Sequence, residues 1–144
     1  MNTPSIVAFL QQNILLVSLV VISGAGLFWP GLRRSGGGTK VNTTEATLLI
    51  NRENARILDV RNAEEFAAGH LPDALHIPLE KLAERLAELQ KFKEKPLIVC
   101  CASGTRASRA CATLKKEGFN RLYHLSGGVE AWRQAGLPLK KGDR

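Results

Sequence analysis

Pro96-Leu97-Ile98-Val99-Cys100 is apolar at every position. A strand with one wet face alternates apolar and polar residues. A short run with no such alternation reads as a strand covered on both faces, as in a parallel sheet flanked by helices. The flanking sequence agrees. Arg56-Ile57-Leu58-Asp59-Val60, Leu75-His76-Ile77 and Arg121-Leu122-Tyr123-His124-Leu125 read as further strands. Between them lie segments with helical signals: Glu45–Asn51 capped by Thr43 or Thr44, Ala63–Ala68 ended by Gly69, Ala107–Lys116 stopped by Gly118, and Val129–Gln134 opened by Gly127-Gly128. Leu79, Leu82, Leu86 and Leu89 recur at helix spacing among charged residues, which predicts one amphipathic packing helix. Strands alternating with helices make an α/β domain with a mainly parallel sheet.

The first 32 residues stand apart. No side chain from Met1 to Leu32 carries a charge, and the first charged residue is Arg33. The densest apolar part is Ile14–Trp29, with Trp29 beside Arg33, Arg34 and Lys40. A span at 12–31 reaches the ~20 residues that cross a bilayer. No Lys or Arg precedes it, so the basic start of a cleaved signal peptide is missing. The expected organisation is an anchor over 1–32, a basic, Gly-rich flexible linker over 33–40 (Ser35-Gly36-Gly37-Gly38 at its centre) and an α/β domain over 41–144. The basic flank on the C-terminal side alone places the N-terminus outside and the domain in the cytoplasm, as in a bacterial inner membrane.

The net charge of +7 belongs partly to that flank. From Val41 onward 17 Lys and Arg face 13 Asp and Glu, leaving +4. That mild excess suits small anions or an acidic membrane surface. Without a basic stripe interleaved with aromatics it does not indicate nucleic acid. The cysteines, Cys100, Cys101 and Cys111, form no CxxC pair, so neither a disulfide framework nor a zinc site is expected. His70, His76 and His124 lack ligand spacing and read as structural. No metal or cofactor is expected.

Chemistry concentrates at Cys101-Ala102-Ser103-Gly104-Thr105-Arg106, the loop between the apolar strand and the next helix. Ligands in parallel α/β folds bind beyond the carboxyl ends of strands. Loop N–H groups, the positive end of a helix and the forked guanidinium of Arg106 all favour a thiolate, and they also hold oxyanions. Two cysteines compete for the role. Four residues separate Cys101 from Arg106, and five separate Cys100 from it, the C-x5-R spacing of cysteine phosphatases and arsenate reductases. The smaller ring suits a persulfide sulfur and the larger one a tetrahedral oxyanion. Cys100 continues the apolar strand, which favours Cys101 as the exposed thiol. Cys111, inside the following helix, reads as a packing residue.

The loop resembles the active-site loop of the rhodaneses, the thiosulfate-type sulfurtransferases. Asp59-Val60-Arg61, Glu65-Phe66, Gly69-His70-Leu71-Pro72, Ala74 and Ile77-Pro78 resemble the family's leading motif. Gly118-Phe119 and Leu125-Ser126-Gly127-Gly128-Val129-Glu130-Ala131-Trp132 resemble its closing motif. The resemblance implies a rhodanese-like fold with Cys101 as nucleophile and a persulfide on its sulfur. The main chain of Ala102, Ser103, Gly104, Thr105 and Arg106 would cradle donor and persulfide. The substrates it implies are a small anionic sulfur donor and a thiol or cyanide acceptor. Asp59, Arg61 and Glu65 are structural supports by the same reading, with Asp59 ordering loops and Arg61 paired to an acid such as Glu65. The sequence departs from the family in three places: Asp73 stands where Gly is common, Ala107 where Ser or Thr is frequent, and Cys100 where an aromatic is frequent. A membrane-tethered docking module is the non-catalytic alternative.

Overall fold

The computed structural model describes residues 5–32 and 37–142, and within 25–32 the backbone alone. The chain divides into two units, Met1–Ser35 and Gly36–Arg144.

In the first unit the apolar run is broken. Helices α1 (Ile6–Gln12) and α2 (Ile14–Leu32) meet at Asn13. Its main-chain N–H and its Nδ2 both donate to the Phe9 carbonyl, at 3.1 and 2.9 Å. A side chain that bonds locally in this way ends a helix. The helix therefore starts at Ile14, inside the span expected over 12–31, and a membrane-crossing helix there is not supported. Among the described residues no single helix is long and apolar enough to cross a membrane; Ile6–Gln12 with Ile14–Gly24 passes only as a pair, bent by 87°. Ile6, Val7, Phe9, Leu15, Leu19 and Ile22 are exposed. The Trp29 side chain, Arg33 and Arg34 lie outside the described residues.

The second unit holds β1 (Thr39–Val41), α3 (Thr43–Glu53), β2 (Arg56–Asp59), α4 (Ala63–Ala68), β3 (Leu75–His76), β4 (Leu97–Cys100), α5 (Thr105–Lys116), β5 (Leu122–Leu125) and α6 (Gly128–Gln134). The strands form one sheet in the order β1-β5-β4-β2-β3, every pair parallel. This is the parallel sheet the unbroken apolar run of β4 predicts. Asn42 and Asn62 cap α3 and α4 through capping boxes with Glu45 and Glu65. The cap of α3 is thus Asn42, not Thr43 or Thr44, and the helix starts two residues early as a result.

Two further expectations change. The end of the supposed linker is a strand: β1 pairs with β5, Thr39 opposite Tyr123 and Val41 opposite Leu125. Gly37 is buried, and a Cβ there would fall 2.1 Å from the Ala112 amide nitrogen, so it is a packing residue against α5. Ser35 and Gly36 lie outside the described residues. The amphipathic helix is also replaced, by 3₁₀ stretches at Leu79–Lys81 and Leu86–Phe92. Leu79 and Leu82, like Leu86 and Leu89, are three apart and share one face of a 3₁₀ turn. The four-residue step from Leu82 to Leu86 falls on the break. Leu82 and Leu89 are still buried in the core, as the apolar pattern requires.

Side chains alternate across β4, one face and then the other. Leu97, Val99 and Cys101 join the cluster that holds Ala107, Ala110 and Leu114 of α5. Ile98 and Cys100 join the cluster under Ala46 of α3 and Trp132 of α6. The two neighbouring cysteines therefore lie on opposite faces of the sheet.

Candidate active site

Asp59 of β2 is level with Cys100 of β4, so both strands deliver their following loops to the same carboxyl edge. Cys101 falls on the α5 face, at the start of the helix. Gly104, at φ +110°, turns the chain so that its N–H donates to Cys101 Sγ at 2.9 Å. Of the amides expected from Ala102 to Arg106, Gly104's is the one bonded to the sulfur among the described residues. Thr105 begins α5, two residues before the expected Ala107, and no side chain caps that end.

Cys101 is deeper than expected. Only 1% of its surface is exposed, so the sulfur sits at the floor of the loop and not at its mouth. Its side chain packs in the cluster under α5, with Val99, Ala107 and Ala110, while α6 closes on the main chain of the loop from the other side. Gly128, at φ +60°, lets the helix start press onto the loop, and Val129 N–H donates to the Cys101 carbonyl at 2.8 Å. A Cβ on Gly128 would stand 2.2 Å from that carbonyl oxygen. Glu130 N–H reaches the Ala102 carbonyl at 3.3 Å. Sequence reasoning read Gly128 as opening the last helix and Gly128 and Val129 as part of the closing motif, but placed neither at the loop.

The supporting charges are paired differently from the expectation. Arg61 binds Asp59, not Glu65: its Nε and Nη2 donate to the carboxylate at 2.9 and 2.7 Å, and its main-chain N–H adds a bond at 3.0 Å. Residues two apart on an extended chain share a side, which explains the choice. Burial works against the Arg61 charge, but the bonds and charge of Asp59 outweigh it and raise its pKa. Arg61 Nη2 also donates to the Gly69 carbonyl at 2.7 Å, pinning the end of α4. Glu65 instead forms a two-pronged pair with Arg106 at 2.9 and 2.8 Å. Those bonds hold the Glu65 carboxyl down to about 2 from an ordinary 4.5, against partial desolvation. Arg106 therefore reaches the loop already neutralised and is not the free cation expected.

The remaining candidates behave as packing groups. Cys100 is fully buried; burial, with Asp59 beside it, pushes its thiol well up. Burial pushes the Cys111 thiol up to about 12, and its sulfur faces the Tyr123 carbonyl at 3.6 Å. Phe66 is stacked between His70 and His76, at 3.8 and 4.4 Å between ring centres, and His76 Nε2 lies 2.8 Å from the Arg61 carbonyl. Asp73 has φ +58°, the conformation a Gly would adopt, so the departure there leaves the turn intact. Ala107 is buried against the core. Among the described residues no group of His, Cys, Asp and Glu could hold a metal ion.

Comparison with known proteins agrees with this geometry. The rhodanese-like domain profile matches residues 42–135. A sulfurtransferase of Allochromatium vinosum is 36% identical over 91 residues, covering 63% of this chain and 83% of that protein. A tRNA uridine(34) hydroxylase of Enterobacter sp. strain 638 is 31% identical over 123 residues, 80% of this chain but 35% of that longer protein. The crystal structure of a thiosulfate sulfurtransferase from Pseudomonas aeruginosa superimposes with a TM-score of 0.65 and 30% identity, over 74% of this chain and 21% of that one. The α/β unit with its parallel sheet and cysteine loop is a rhodanese fold, and the chain belongs to the rhodanese-like domain family.

Proposed function

We propose that the chain is a sulfurtransferase that carries sulfane sulfur on Cys101. The observation that carries this reading is the Gly104 N–H aimed at Cys101 Sγ, at 2.9 Å, on the α5 face. The Cys101 thiolate attacks the outer sulfur of a donor such as thiosulfate, the S–S bond breaks, and sulfite leaves. The persulfide then passes its outer sulfur to a thiol or cyanide, in two half-reactions. Depth protects the stored sulfur from water and chance oxidants, with the Gly104 N–H beside it.

The test is mass measurement after incubation with thiosulfate. One added sulfur atom on Cys101, absent in Cys101→Ser, is the expected result. Labelling of Cys100, or turnover of a phosphate ester without any persulfide, refutes it. The phosphatase alternative would need Cys100, which lies on the opposite face of the sheet from the Gly104 amide. The hydroxylase relative contains this domain as about a third of its length, so its whole activity is not carried over.

For the first unit the reading is attachment to a lipid bilayer, with the rhodanese-like domain on the cytoplasmic side. What supports it is apolar surface on all sides of α1 and the first turns of α2: Val7, Phe9, Leu15, Leu19 and Ile22 are all more than half exposed. Such a surface needs a non-aqueous partner. Co-sedimentation of the full chain with phospholipid vesicles, set against residues 37–144, tests this. Equal recovery of both in the supernatant overturns it.

A further inference from the structure

The strands of the sheet all run one way, so the segments that lead into them gather at one edge, opposite the cysteine loop. That amino edge is basic. Residues 52–56, 91–95 and 115–121 lead into β2, β4 and β5, and they carry eight Lys and Arg against three Glu. Their excess of five exceeds the +4 of the whole stretch from Val41, so the remainder of that stretch is slightly acidic.

The two ends of the sheet also differ in how their charges are matched. Beside the cysteine loop, Asp59 pairs with Arg61, Glu65 with Arg106 and Glu130 with Arg133. Of the eight cations at the amino edge, Arg121 alone is held among the described residues, by Glu53. Ahead of β3, Asp73 is matched by Lys140 at 3.5 Å. Among the described residues no ion pair engages Lys91, Lys93, Lys95, Lys115 or Lys116. Lys95, Lys115 and Lys116 are exposed. Lys93 joins the two segments, since a Cβ on Gly118 would stand 2.9 Å from its Cε. The lysines therefore form one continuous patch.

Ammonium groups spread over two segments suit an extended anionic surface. The path of the chain selects which surface. A Cβ on Gly38 would stand 3.0 Å from the carbonyl oxygen of Leu122, the first residue of β5, and β1 follows at Thr39. The second unit is thus entered at its basic edge. Only residues 33–36, with Arg33 and Arg34 among them, separate that entry from the uncharged apolar segment.

Resting on the bilayer reading of the first unit, we propose that the amino edge of the sheet is a docking surface for anionic phospholipid headgroups, with the cysteine loop directed away from the lipid. Each Lys near such a surface strengthens docking about fivefold. Salt confines the attraction to about 8 Å, less than the roughly 13 Å of a four-residue strand, so the two ends of the sheet act separately.

The experiment is lysine footprinting of the full chain on vesicles. Protein is bound to phosphatidylcholine vesicles with or without phosphatidylglycerol and treated briefly with an amine-reactive ester. Peptide mass then reads each Lys. With phosphatidylglycerol present, Lys95, Lys115 and Lys116 react at least about fivefold more slowly, and high salt removes the protection. Lys81 serves as the control. It follows Leu79, whose N–H donates to the Val60 carbonyl beyond the carboxyl end of β2, and its reactivity stays the same. Lys115→Gln with Lys116→Gln weakens docking about twenty-five-fold and restores the reactivity of Lys95. Both positions are exposed, and unchanged circular dichroism confirms the fold. Equal reactivity of Lys95, Lys115 and Lys116 on the two kinds of vesicle, with protein bound to both, overturns the inference and leaves the attachment reading standing. Protection of Lys81 to the same degree as Lys95 overturns it too. Protection by soluble polyglutamate but not by phosphatidylglycerol assigns the edge to an acidic protein and overturns the lipid surface. Recovery of the protein in the supernatant from both kinds of vesicle overturns attachment and docking together.

Discussion

Removing the Asp59 carboxylate isolates a buried guanidinium. Asp59 is fully buried and Arg61 is 5% exposed. In Asp59→Ala, Arg61 keeps one protein acceptor, the Gly69 carbonyl, out of the set that now satisfies it. An uncompensated buried charge costs about 3–5 kcal/mol. At about 4 °C per kcal/mol for a domain near 100 residues, the melting temperature falls by roughly 12–20 °C. Arg61→Met is damaging for the mirror reason, because it strands the carboxylate. The double change to Asp59→Leu with Arg61→Met removes both charges and restores at least half of the loss, since apolar replacement of a buried pair is often neutral. Thermal unfolding followed by circular dichroism measures all three. The functional arm is sulfur loading at a temperature where each variant is folded. Loading slows in Asp59→Ala, because Arg61 loses the carboxylate that orients it toward Gly69, and α4 loses its fixed approach to Arg106. A single mutant within about 1 kcal/mol of wild type, or a double mutant equal to the sum of the singles, refutes the argument that this pair acts as a unit.

Gly128→Ala drives a Cβ into the Cys101 carbonyl and strains a left-handed backbone; loss of sulfur loading together with a lower melting temperature is expected, and normal loading would count against the role given to α6. The Glu65–Arg106 pair sets an acid limit. Its carboxyl titrates lower folded than unfolded, so its contribution is complete above about 4.5 and is lost as pH falls through about 2. A pH titration of unfolding should therefore show a loss of stability in that window that Glu65→Gln lacks. Iodoacetamide at pH 8 should spare Cys111, whose thiol is pushed to about 12, and modification there in the folded protein would contradict its burial. Gly37→Ala meets the α5 backbone and is expected to destabilise the domain in thermal unfolding.

Much of the fold was written in local pattern. The apolar run of β4, the helix ended by Gly69 and the Gly-Gly opening of α6 each depend on neighbours in the chain, and each lies within a residue of its expected place. The loop cysteine was legible for the same reason, since strand, turn and helix follow directly. Other features depend on distance in space. Strand β1 is three residues with one buried position, too short for any period to show. The depth of Cys101 comes from a cluster that gathers Leu58, Val60 and Ile77 from more than twenty residues earlier in the chain. The partner of Arg106 lies 41 residues away, on another helix. Asp59–Arg61 is the instructive miss, because alternation along an extended strand already placed the two charges on one side. The break at Asn13 was also visible, as the last of three polar residues, Gln11-Gln12-Asn13, ahead of the densest apolar part, with a side chain able to bond its own helix.

Adjacent cysteines invite ring closure on oxidation. Here Cys100 and Cys101 leave β4 in opposite directions, and a disulfide needs side chains that converge. The sheet thus insulates the reactive sulfur from its nearest neighbour in the chain. A sulfenic acid or persulfide on Cys101 has no route to internal quenching by Cys100. On the proposed function, regeneration of a Cys101 that carries sulfur falls to a thiol other than its neighbour in the chain.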